Sequence, residues 1–135
     1  MKLLGCVVGC LVLSTVGSGC SASSGKTAGN TVQMTGARRF EPAAVTVDKG
    51  DTVTFTNSTD EPHSVTAYEG GIPADARYFS SGDFSSEDQA RDNVTESLIE
   101  TDGSFQVTLT KPGVYEYFCI PHESQGMKGK IVVEG

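Results

Sequence analysis

The sequence predicts an all-β sandwich or barrel of about seven to eight short strands, interrupted by one long loop that carries a short helix. Three observations lead there. The chain of 135 residues contains sixteen glycines, its valines and threonines alternate in short runs, and no long stretch has the apolar period of an amphipathic helix. At 37% hydrophobic and 20% charged it has an ordinary globular composition, sufficient for one domain around one modest core.

The first element in chain order is not part of that domain. Lys2 supplies a positive start, and Leu3 to Val16 is an apolar run of fourteen residues, too short to span a bilayer comfortably. The small residues Gly17, Ser18 and Gly19 then precede Cys20. Together these read as a secretory signal over residues 1–19. Small residues followed by Cys resemble the signal of exported lipoproteins, whose cysteine carries a diacylglycerol anchor, so Cys20 is the candidate lipid-attachment residue. Gly17 stands where that signal prefers a large aliphatic residue. Val7-Val8-Gly9-Cys10 fits the preference better but leaves too little apolar chain upstream, and cleavage nearby without lipidation is the plain alternative. Residues 20–30 contain no large apolar side chain and read as a flexible, lipid-anchored tether. The folded domain is expected over 31–135, and the location on the outer face of the cell membrane.

Removal of residues 1–19 takes away Lys2 and no acid, leaving nine basic against seventeen acidic residues, net −8. Nucleic acid is therefore excluded as a partner class. Cys6 and Cys10 leave with the signal, and Cys119 is then the one thiol inside the domain, so no internal disulfide forms. A lone thiol in an oxidising compartment calls for a reason, and metal ligation is one.

Thr46 to Thr56 reads as strand, turn at Lys49-Gly50-Asp51, and a second strand in which Val53 and Phe55 alternate with threonines, a hairpin-like pattern. Ser64–Tyr68, Ser104–Leu109, Val114–Phe118 and Lys130–Val133 have the same strand character, with a turn at Lys111-Pro112-Gly113. Residues 69–95 break the rhythm. Ser86 and Gln89 there have capping-box spacing for a short helix, and Tyr78, Phe79 and Phe84 are placed to pack this acidic insertion onto the sandwich; a docking surface is the other reading. Asn57-Ser-Thr and Asn93-Val-Thr match the glycosylation triplet, which is common by chance and is assigned no function.

The chemistry lies in Tyr115 to Met127, where Cys119, His122 and Met127 fall at intervals of three and five residues. Singly, each has a dull explanation: a packed Met, a surface His, a small buried Cys. Together, a soft thiolate, an imidazole and a weak thioether form a donor set suited to copper that cycles between oxidation states. Two His and one Cys with a distant axial Met is the arrangement of blue-copper electron-transfer sites. The chain has two histidines, so the second ligand is His63, fifty-six residues before Cys119. A sandwich would bring one early strand end and one late loop together at the same end of the fold.

On these residues the sequence resembles the plastocyanins and, in its lipoprotein-like start and acidic balance, the halocyanins of halophilic archaea. The resemblance covers roughly residues 31–135, and its most specific part is GVYEYFCIPHESQGMKGKIVV over Gly113–Val133. It implies a cupredoxin-like Greek-key sandwich holding one type 1 copper on His63, Cys119, His122 and Met127. It further implies a monomeric electron carrier, not an enzyme, working between membrane-bound redox proteins as donor and acceptor. Phe118 stands where many members have Tyr, and the 69–95 insertion is longer and more acidic than usual. Ser64 is placed to hydrogen-bond across the ligand loop, and Gly126 and Gly129 to let that loop turn tightly. The side chains of Ile120, Pro121 and Met127 are expected to form an apolar docking patch around His122.

Rival functions fit less well. A copper enzyme needs a second metal site, and no histidine remains to build one. A copper store or delivery protein would use exposed thiolates or several methionines, whereas the domain offers one Cys and, besides Met127, Met34. A structural or adhesion module that merely keeps the sandwich has no need for all four ligands; a non-catalytic copper-binding module is the remaining alternative.

Overall fold

The computed structural model describes residues 30–135. The signal segment 1–19, Cys20 and the tether up to residue 29 lie outside the described residues. Among the described residues there are eight strands: β1 (Thr31–Met34), β2 (Phe40–Glu41), β3 (Ala44–Asp48), β4 (Thr52–Asn57), β5 (Thr66–Ala67), β6 (Ser104–Thr108), β7 (Gly113–Phe118) and β8 (Lys128–Glu134). They form two four-stranded sheets, in the orders β2-β1-β4-β6 and β3-β8-β7-β5. The expected sandwich is therefore present, with two short strands, β1 and β2, beyond those read from the pattern.

Alternation makes the core. Val32 and Met34 of β1 and Val53 and Phe55 of β4 point inward from one sheet, while Val45 and Val47 of β3 and Ile131 and Val133 of β8 point inward from the other. Each such side chain stabilises the fold by roughly 1.5–3 kcal/mol through burial. Tyr117 of β7 sits at the centre, its ring meeting Phe40 edge-on at 4.8 Å and Phe55 at 5.1 Å.

The structure corrects the hairpin reading of residues 46–56. β3 runs parallel to β8 in one sheet, while β4 pairs with β1 and β6 in the other. The turn between them is a corner joining the sheets. Gly50, at a φ of 92°, donates its N–H to Leu109 O, and Lys49 donates to Glu134 O, so the corner is tied to other segments and not to a β3–β4 ladder. Inward alternation is the same for a hairpin and for two strands facing each other across a core, which is why the sequence pattern could not separate them.

The long insertion between β5 and β6 behaves as a packed loop. Phe79 enters the core and Tyr78 lies against it, donating its hydroxyl to Ala67 O. A single short helix, α1 (Glu87–Asp92), starts where the capping signal placed it, with Ser86 Oγ accepting from the Gln89 N–H. The reciprocal bond is displaced by one residue: Gln89 Oε1 accepts from the Ser85 N–H. Among the described residues no helix is long and apolar enough to cross a membrane.

Candidate metal centre

β7 ends at Phe118 and β8 begins at Lys128, and these antiparallel neighbours are joined by a 3-10 turn, Ile120–Gln125. Cys119 enters that turn and Met127 leaves it. The segment is closed on itself by main-chain bonds: Cys119 N–H to Met127 O at 3.0 Å, His122 N–H to Cys119 O at 3.2 Å, and Met127 N–H to His122 O at 3.2 Å. Gly126, with a φ of 83°, supplies the left-handed turn that makes this closure, as expected of it. Gly129 does not. It lies inside β8, opposite Tyr117, and its missing side chain makes room for that ring.

His63 comes from the opposite side. It forms a bridge with Ile99, exchanging backbone hydrogen bonds, three residues before β5 begins. The next residue then ties the two pieces together: Ser64 N–H donates to Cys119 Sγ at 3.3 Å, and Ser64 Oγ accepts from the Ile120 N–H at 2.8 Å. The crossing bond anticipated for Ser64 is thus present. Pro121, lacking an N–H, contributes none to the sulfur.

These elements bring the donors of His63, Cys119 and His122 within 4.8 Å of one another, all three residues buried. Cys119 Sγ lies 3.3 Å from His122 Nδ1 and 3.8 Å from His63 Nδ1, and the two Nδ1 atoms are 3.2 Å apart. Both rings therefore present the same nitrogen to a common point beside the sulfur. Met127 is wholly buried at the end of the same loop. Outward, His63 Nε2 meets Thr59 Oγ1 at 3.3 Å, and His122 Nε2 lies 3.2 Å from Glu61 Oε1. Burial pushes the Cys119 thiol above its ordinary range, with the Ser64 N–H opposing it, and burial lowers His63. The Cys119 thiol would have to give up its proton to become a metal ligand. Nitrogen, nitrogen and sulfur in a dry cup fit a soft or borderline ion such as copper and serve oxygen-seeking ions badly.

The surface around the site differs from expectation. Met127 has no exposed area, so the docking patch expected from Ile120, Pro121 and Met127 reduces to a half-buried Ile120 and an exposed Pro121. Sequence reading also missed the charged residues that hold the loop. Arg91 of α1 bonds Glu123 at 2.7 Å and Glu87 at 2.7 Å, while its guanidinium lies 4.3 Å over the Phe118 ring. Tyr68 stacks on the other partner of that group, Phe118, at 4.2 Å and donates its hydroxyl to Glu123. The one sequence signal was Glu87 and Arg91 at helical i, i+4 spacing.

Arg91 holds the Glu123 carboxyl below its usual range. A carboxyl depressed in the fold adds stability above its unfolded value, about 4.3, and that stability is lost as pH falls through the folded value. Arg91→Ala is therefore expected to cost about 1 kcal/mol at pH 7, with a smaller difference at pH 3. Urea unfolding of the metal-free protein at the two pH values checks it; an equal loss at both would assign the effect to the Phe118 stacking alone.

Compared with known proteins, residues 27–134 match the copper binding proteins of the plastocyanin/azurin family. The sequence is 37% identical over 94 residues to the chloroplastic plastocyanin of Oryza sativa subsp. indica, covering 70% of this chain and 54% of that protein. It is 33% identical over 98 residues to the plastocyanin of Daucus carota, covering 73% and 90% respectively. The chain spans about half the length of chloroplastic relatives such as the rice protein. Among solved structures, a pseudoazurin from Sinorhizobium meliloti is 32% identical with a TM-score of 0.56, over 78% of this chain and 72% of that one.

Proposed function

The chain belongs to the plastocyanin/azurin family of copper-binding proteins, and from that premise we propose that it is a one-electron carrier on the outer face of a cell membrane, with His63, Cys119, His122 and Met127 as its copper ligands. The observation that carries this reading is the buried convergence of His63 Nδ1, His122 Nδ1 and Cys119 Sγ within 4.8 Å. When bound, copper supplies a one-electron couple between its two common oxidation states. The protein supplies rigidity. Cys119, His122 and Met127 are linked by main-chain bonds to one another, and Ser64 fastens that loop to the segment bearing His63. Ligands held in this way move little when the charge between them changes, which keeps the barrier to transfer low. His122, 6% exposed where His63, Cys119 and Met127 are at 0%, is the ligand nearest the surface and the natural exit for an electron.

An enzyme reading is disfavoured because both histidines of the chain are spent at this one centre, leaving no imidazole for a catalytic ion with an open position. Storage or delivery is disfavoured because the only thiol among the described residues is buried, not exposed for exchange. Absorption and electron paramagnetic resonance spectra of the copper-loaded protein test the proposal. An intense thiolate-to-copper band with narrow hyperfine splitting, unchanged by azide or nitrite, is expected. A pale protein, or one that turns over nitrite, would refute it.

Two further expectations concern the surroundings. Ile120→Lys places a charge beside the exit without altering a ligand, so the spectrum should persist while the bimolecular rate with the native partner falls at every salt concentration. Stopped-flow kinetics decides this; an unchanged rate would put the contact elsewhere, such as the acidic 69–95 insertion. Cys20→Ala removes the proposed anchor and should move the protein from membranes to the soluble exported fraction. Mass spectrometry finding an unmodified terminus at another residue would contradict it.

A further inference from the structure

The two imidazoles are held differently on their outer sides. His63 Nε2 faces the neutral hydroxyl of Thr59, at 3.3 Å. His122 Nε2 faces a carboxylate, Glu61 Oε1, at 3.2 Å. That carboxylate is not a loose surface group. Its backbone carbonyl accepts from Asn57 Nδ2 and Thr59 Oγ1, and its two oxygens are gripped by Arg38, Nη2 to Oε1 at 2.7 Å and Nε to Oε2 at 3.0 Å. Arg38 reaches further, donating from Nη1 to Gln125 Oε1 in the ligand loop at 3.1 Å. Arg38 occupies a positive φ of 57° in the turn between β1 and β2, a conformation unfavourable for a side chain of its size, and that turn is what aims it across the loop.

Both Nδ1 atoms point at the sulfur, so in the metal-bound site each ring must carry its proton on Nε2. An acceptor fixed opposite Nε2 holds the ring in that tautomer and orientation, and a carboxylate also makes the opposite nitrogen a stronger donor. Taking the copper reading as given, we infer that Glu61, clamped by Arg38, is the positioning residue for His122. It holds the outer Nε2–H so that Nδ1 is presented to the metal, and the Arg38–Glu61 pair forms a polar rim over the ligand edge nearest the surface. His122, the most exposed of the four, is the ligand that needs such a hold.

The test uses the full chain loaded with copper(I), which is diamagnetic, comparing the unaltered protein with Glu61→Ala and Glu61→Gln. Gln keeps an oxygen that can accept from Nε2–H, while Ala keeps none. A slowly exchanging His122 Nε2–H proton resonance is expected in the unaltered and Gln proteins and is expected to vanish into solvent exchange in Ala. The His63 Nε2–H resonance, held by Thr59, is expected in all three. Copper(I) affinity, measured by chelator competition, is expected to fall about 10–100-fold in Ala and to be at least partly restored in Gln. Loss of folding alone would not remove one imidazole proton signal while sparing the other. The inference is overturned if the His122 signal is missing from the unaltered protein, survives in Ala, is not restored in Gln, or disappears together with that of His63. It is equally overturned if Ala binds copper(I) within about threefold of the unaltered protein, well short of the usual outer-partner effect. A copper(II)-loaded unaltered protein without the thiolate band would instead defeat the copper reading itself, and the inference with it.

Discussion

Cys119→Ser is expected to abolish the intense colour of the copper-loaded protein completely while leaving the fold standing. The colour of such a centre comes from charge moving between a thiolate sulfur and the metal, and a serine hydroxyl offers neither the soft orbital nor, at neutral pH, the negative charge. The surroundings allow the exchange. Cys119 is wholly buried, yet its sulfur already accepts the Ser64 N–H at 3.3 Å and lies 3.3 Å from His122 Nδ1, so a hydroxyl at that position has both a donor and an acceptor nearby. The main-chain bonds from Cys119 to Met127 O and from His122 to Cys119 O do not involve the side chain. A buried polar group with partners costs little, about 1 kcal/mol or less on balance. The measurement is paired: absorption of the copper-loaded variant, and thermal unfolding of the metal-free variant against the metal-free parent, which removes the stabilisation that bound metal adds. A variant that stays blue would mean that Cys119 is not the ligand, and a variant that fails to fold would mean that the sulfur is a core element first.

How much of this was legible beforehand depended on whether the information was local. The ligand loop is local: Cys119, His122 and Met127 fall in one nine-residue stretch, and their chemistry limits what they can be for. His63 followed by elimination, because the chain has no third histidine. The capping signal at Ser86 was local too, and the helix begins there. What could not be read was which face meets which. The alternation of Val45, Val47, Val53 and Phe55 is the same whether β3 and β4 share a sheet or oppose each other, and only the partners β8, β1 and β6 decide it. The arginines were illegible for the same reason. Arg38 and Arg91 lie 23 and 32 residues from the carboxylates they hold, Glu61 and Glu123, and nothing in their immediate sequence names those partners. Gly129 is the sharpest case. Two residues after Met127, it looks like part of the turn around the metal, but its work is done across the ladder.

That role gives a large and specific expectation for Gly129→Ala. A Cβ at this position would lie 2.4 Å from the Tyr117 hydroxyl oxygen and 2.5 Å from the ring carbon bearing it, closer than side-chain atoms pack. The ring has nowhere to retreat. Tyr117 is fully buried, with Phe40 at 4.8 Å on one side and Phe55 at 5.1 Å on another. One added methyl must therefore shift either three aromatic rings or the β7–β8 ladder, which pairs Tyr117 with Gly129 and Phe118 with Lys128 at the threshold of the ligand loop. Overpacking of this kind costs about 1–3 kcal/mol, a fall of roughly 4–8 °C in midpoint for each kcal/mol in a domain of this size. Tyr117→Leu alone is also expected to destabilise, by about 2–4 kcal/mol, because it leaves a cavity among the rings. The two changes share one space, so together they should lose less than the sum of the separate losses: the shorter leucine vacates the volume that the new methyl needs, by an interaction of about 1 kcal/mol or more. Thermal unfolding of the four metal-free proteins completes the cycle. Strict additivity would show that Gly129 serves the conformation of its own strand and not the ring opposite it.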